Sequence, residues 1–169
     1  MNWASYASDN RSLASAVEEC VDMVKSQLQA DVSDLAVVFV SSHHSEQYAV
    51  LPQLLSERLE TRCVIGCSAG GVIGGGSEIE QRPGLSITCA LLPDVQITPF
   101  HFDNNLLPDL DASPQEWEEL VHVEREKSPH FLLITDPFTV QTDNLIMGLD
   151  YAFADSIKVG GMASGGRRH

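Results

Sequence analysis

Four short stretches hold the residues best suited to chemistry: Ser41-Ser-His-His44, Gly66-Cys-Ser-Ala-Gly-Gly71, Asp136-Pro-Phe138 and Gly160-Gly-Met-Ala-Ser-Gly-Gly166. Glycines without a Cβ let backbone approach a guest closely, and successive N–H groups in such a turn attract an anion. The expected use is a cradle for a carboxylate or similar group; the alternative is a tight turn at a crowded strand end. Histidine beside the cradle can donate or accept, and Asp136 can meet a ligand ammonium, or simply form an Asx turn. The candidate ligand-binding residues are therefore Ser42, His43, Gly66, Cys67, Ser68, Ala69, Gly70, Gly71, Asp136, Gly161 and Ser164.

Gly66-Cys-Ser68-Ala-Gly70 also matches G-x-S-x-G, the elbow that exposes a hydrolase serine between a strand and a helix. That motif needs a helix next, and Gly70-Gly-Val-Ile-Gly-Gly-Gly76 starts one poorly, since glycine costs about 1 kcal/mol per site relative to alanine. Asp136 has only His169 after it, and Asp103 with His122 keeps triad order without a suggestive setting. Cys67 is a candidate nucleophile only if nearby amides lower its pKa. Catalysis is not expected. Neither the dinucleotide fingerprint nor the P-loop spacing occurs, and Cys63 and Cys67, four apart, do not form a zinc motif. No metal or cofactor is expected, and His43 and His44 are read as hydrogen-bonding groups instead of metal ligands.

The elements that must position these stretches recur. Leu35-Ala-Val-Val-Phe-Val40 answers His130-Phe-Leu-Leu-Ile-Thr135, and Val64 to Gly71 answers Val159 to Gly166, ninety-five positions on without a gap. Strand, helix, strand order implies parallel neighbours joined by a crossover, with ligands settling where strand ends meet. Leu13 to Leu28 has helical spacing behind Asp9-Asn10 as a cap, and Tyr48, Leu51, Leu54, Leu55 and Leu59 make a second stripe. Cys63 to Gly66 is expected as a strand that the glycine loop leaves. Leu85 to Leu91 alternates and, through a turn at Pro93-Asp94, is expected to pair with Val95 to Phe100 as a β-hairpin joining the repeats. Ser113-Pro-Gln-Glu116 carries a capping box before a helix with Trp117 and Leu120. Trp117, Phe131, Phe138 and Phe153 read as core. The expected fold is α/β: duplicated βαβ units, about 35–71 and 130–166, with an antiparallel hairpin inserted between them and helices covering a mixed sheet, in one domain over 1–169.

A net charge of -14 repels phosphate backbones and anionic lipids, so nucleic acid and membranes are not expected partners. The start lacks a cationic and an apolar signal region, which suggests a cytoplasmic protein. The four cysteines are scattered through apolar segments and read as reduced, buried thiols. The edge of Ile157 to Gly161 could pair with another chain, giving a homo-oligomer.

The ordered set of Ser41-Ser-His-His44, Gly66-Cys-Ser-Ala-Gly-Gly71 and Gly160 to Gly166, supported by Leu85-Ser-Ile-Thr-Cys-Ala90, Phe100-His-Phe102 and Asp136-Pro-Phe138, resembles the N-terminal domain of the FIST family. The likeness extends from about Ala14 to the end. It implies a sensory, small-ligand-binding domain of signalling proteins, found beside F-boxes in eukaryotes, with amino acids proposed as ligands and no catalytic residues. Family members usually continue into a C-terminal FIST region, which is not expected within residues 1–169; that region or a signalling protein is the partner the resemblance implies.

Overall fold

The computed structural model describes residues 1–166 as a mixed α/β fold. It forms two compact units, one of Met1–Val95 rejoined by the chain from Ser164, the other of Gln96–Ala163.

In the first unit, β1 (Asn2–Ser8) leads to α1 (Leu13–Leu28). The cap is Ser12, whose side chain accepts from the Ser15 amide, so the expected Asp9-Asn10 cap lies too early. Then come β2 (Val32–Ser41), a 3-10 helix over Ser42–Val50, α2 (Leu51–Arg58) and β3 (Glu60–Ala69). Pro52 sits in the first turn of α2, where a missing N–H costs nothing. β4 (Gly71–Gly74) and β5 (Ser77–Glu80) form an antiparallel hairpin turned by Gly75 and Gly76, both at positive φ, as a tight two-residue hairpin turn demands. β6 (Leu85–Leu91) completes a four-stranded sheet ordered β1-β6-β2-β3.

β2 and β3 are parallel, while β6 runs antiparallel to both β1 and β2. The hairpin expected around Pro93-Asp94 is therefore corrected: Val95 to Phe100 forms no strand, and β6 takes its partners from far away in sequence. Its inner position rewards the run Leu85, Ile87 and Cys89, each fully buried. Those residues pack with Val17, Val21 and Val24 of α1 and with Leu51 and Leu55 of α2. The opposite sheet face is covered by the β4–β5 hairpin through Val72 and Ile79, which meet Ala7, Ala69 and Phe39. Each fully buried aliphatic side chain contributes about 1.5 to 3 kcal/mol.

The second unit contains α3 (Pro114–Val121), β7 (Phe131–Thr135), α4 (Thr142–Ala152) and β8 (Lys158–Met162), with β7 and β8 parallel. Glu116 accepts from the Ser113 amide at 3.0 Å, the glutamate half of the expected capping box. Trp117, Phe131, Leu133, Leu145, Leu149 and Phe153 make its core. Phe138 is a correction: it stands 48% exposed because the turn after β7 carries it outward.

The two parallel pairs differ in register. Val38 pairs with Gly66 and Leu133 with Gly160, so β3 follows β2 by 28 residues where β8 follows β7 by 27. The ungapped spacing of ninety-five holds for the first strands and becomes ninety-four for the second, so Gly66 answers Gly160 and not Gly161.

Candidate functional site

The glycine stretch begins inside a strand. β3 runs through Gly66, Cys67 and Ser68 to Ala69, and only Gly70 bends before β4. Ser68 is thus followed by another strand instead of the helix that a nucleophile elbow needs. Parallel pairing sets Gly66 and Ser68 beside Val38 and Val40, on the face that α1 and α2 cover, whereas Cys67 and Ala69 pair with Phe39 and Ser41 on the hairpin face.

The end of β2 is fixed by Ser41, fully buried, whose N–H donates to the Gly84 carbonyl at 2.8 Å while its Oγ accepts from the Gly84 N–H at 2.9 Å. Ser42 and His43 that follow are exposed, but His44 is 2% exposed and its Nε2 has no hydrogen-bond partner. Four residues on along the same 3-10 helix, the Tyr48 hydroxyl is also buried without a partner. It lies beside Ser68 and Cys67, and burial pushes its pKa up.

The chain from Ser164 meets this strand end. The Gly70 N–H donates to Ser164 Oγ at 3.1 Å, and the Gly165 N–H donates to the Ser68 carbonyl at 3.2 Å. A Cβ on Gly165 would lie 2.3 Å from the Ala69 nitrogen, so only glycine permits this approach. Gly71 opens β4, with Glu80 opposite. Two of the four small-residue stretches, Ser68–Gly70 and Ser164–Gly165, therefore meet.

Within the second unit, the Asp136 carboxylate accepts from the Phe138 N–H at 3.0 Å and the Thr139 hydroxyl at 2.8 Å, an Asx turn that leads towards α4. Gly161 is exposed on β8. His122 terminates α3 in the left-handed conformation, and His130 Nδ1 accepts from the Ile157 N–H at 3.1 Å. His169 lies outside the described residues.

Burial raises the pKa of Cys67, the opposite of what a poised thiolate requires. All four cysteines are free, and Cys20, fully buried on the inner face of α1, is pushed up to about 12 by desolvation. His44 is pushed below its ordinary 6.5, first by burial and then by neighbouring His43. The unfolded chain consequently takes up that proton at a higher pH than the folded one. Stability is complete above the unfolded value and falls as acidification proceeds towards the folded value. A His44→Gln variant is expected to lose this part of the acid limb, measured as urea midpoints from pH 7.5 to 5; an identical pH slope in both proteins would contradict it.

His44 and Tyr48 are the polar groups that the sequence singled out least. Adjacent histidines do not reveal which is buried, and Tyr48 sat within an apolar stripe. The one available signal was that a buried tyrosine must do something with its hydroxyl.

A mixed sheet with a parallel pair ending in small residues defines an α/β domain of the kind that places ligands at strand ends. The FIST N domain model matches residues 34–169, and the chain belongs to that family, whose domains act generally as sensors of small ligands in signalling. Among similar curated proteins, an uncharacterized protein of Mycobacterium tuberculosis is 26% identical over 155 residues, and one of Mycobacterium bovis is 24% identical over 153. Each alignment covers 90% of this chain and 38% of the relative, so the chain spans well under half the length of these proteins. No helix among the described residues is long and apolar enough to cross a membrane.

Proposed function

We propose that this domain is a non-enzymatic sensor holding a small polar metabolite, such as an amino acid, at the carboxyl end of β2 and β3. The observation that carries this reading is the meeting of Ser68–Gly70 with Ser164–Gly165 there. Ser164 Oγ takes the Gly70 N–H, as a ligand carboxylate would. A guest that claims this donor releases Ser164, and binding is felt by the chain beyond it. Signal transfer is thus a competition between an internal acceptor and an external one, with the affinity difference setting the shift in population. The recipient is the further sequence of longer family members, such as a C-terminal FIST region, or a signalling partner.

Calorimetric titration and thermal shift against the proteinogenic amino acids test this. A true ligand stabilises the fold by about 2.7 kcal/mol at a hundredfold excess over Kd. Ser164→Ala, which removes the competing acceptor, is expected to tighten binding. A panel without any binder at millimolar concentration would retire the reading.

A further inference from the structure

We propose that His44 and Tyr48, on the 3-10 helix after β2, are the side-chain anchors that select the ligand, and that they select an uncharged polar head such as a carboxamide over a carboxylate. This deepens the binding reading above and rests on it.

Buried polar atoms are nearly always hydrogen-bonded, so an unpartnered one demands an explanation. Here two occur on a single nine-residue helix: His44 Nε2, in a residue 2% exposed, and Tyr48 Oη, beside Ser68 at the strand end described above. A packing role alone would be met by phenylalanine or leucine. The segment is also an unusually long 3-10 run, since the poorer geometry of that helix normally limits it to three or four residues. Its continuation into α2 carries Leu51 and Leu55 into the core, which holds the helix in place.

Charge decides the ligand class. His44 and Tyr48, with Ser68 beside the tyrosine, are all uncharged in their prevailing forms at neutral pH. An ionised carboxylate buried among uncharged groups loses its hydration without gaining a counter-charge, whereas an amide loses far less. A carboxamide also brings an acceptor and donors together, so it satisfies a tyrosine hydroxyl and either tautomer of histidine.

The experiment uses the whole chain, with L-glutamine and L-glutamate as probes and Tyr48→Phe and His44→Gln as variants. Wild-type protein is expected to bind glutamine at least tenfold more tightly than glutamate. Tyr48→Phe is expected to melt at the same temperature as wild type or higher, because a stranded hydroxyl has been removed, and to lose tenfold or more in glutamine affinity. A melting temperature several degrees lower in Tyr48→Phe would show that the hydroxyl is bonded inside the protein, and the proposal falls. It falls equally if glutamate binds as well as glutamine, or if both variants bind as wild type does. In those two cases the sensor reading survives on other residues; only a full panel without a binder removes both.

Discussion

Replacing Gly66 by alanine is expected to cost about 3 kcal/mol or more, read as the shift in urea midpoint. A Cβ there would lie 1.9 Å from the Val38 carbonyl oxygen and 2.8 Å from its carbon. The obstructing atoms are backbone of the paired strand, which cannot rotate away as a side chain can. Relief requires β3 to move off β2, and with it the strand end carrying Ser68. Against a typical domain stability of about 5 to 15 kcal/mol the loss is large. Gly160 is expected to behave alike, being 1.8 Å from the Leu133 oxygen at a φ of 149°. Gly161→Ala and Gly70→Ala are the contrasting cases. The first meets nothing within 4 Å, and the second meets only Ser164 atoms at 3.6 and 3.9 Å. Equal tolerance at positions 66 and 161 would refute the one-residue difference in register.

Gly148→Ala in α4 is the second large effect. Its new methyl would stand 1.9 Å from Cζ2 and 2.0 Å from Cη2 of Trp117, a ring with no exposure at all. Alanine is the better helix former by about 1 kcal/mol, so a helix in isolation would gain from this change. Overpacking a full core costs typically 1 to 3 kcal/mol and occasionally more, and an overlap this deep belongs at the upper end. The net expectation is a loss of about 2 kcal/mol. A Trp117→Phe partner removes the obstructing edge, so the double variant is expected to lose less than the two single losses combined. Thermal unfolding of all four proteins completes the cycle, and strict additivity would show that ring and glycine do not meet.

Local patterns made much of this fold legible. Leu13 to Leu28 announced α1, Ser113-Pro-Gln-Glu116 announced α3, and the valine-rich run at Leu35 announced a strand, although the β4–β5 hairpin covers one of its faces where a helix would be expected. Pairing partners were less accessible. Antiparallel alternation in Leu85 to Leu91 suggested a nearby return strand, because a short turn is the usual connection. The real partners are β2 and β1, the latter 83 residues away at Ser5 and Thr88, a strand whose polar and apolar residues mix too freely to announce it. Gly75-Gly76 is the turn of a hairpin that the glycine-rich run Gly70 to Gly76 did not announce. At the site, the small residues of Ser68–Gly70 and Ser164–Gly165 were visible as composition. The burial of His44 and the position of the Tyr48 hydroxyl depend on how a 3-10 helix lies over the sheet, which residue spacing does not encode.

The missing residue between β7 and β8 bears on any attempt to exchange one crossover for the other. Because side chains alternate along a strand, a chimaera spliced at constant ninety-five spacing would turn its incoming second strand inside out. A viable splice must delete one position between the strands when the second unit serves as the acceptor, and add one in the opposite exchange.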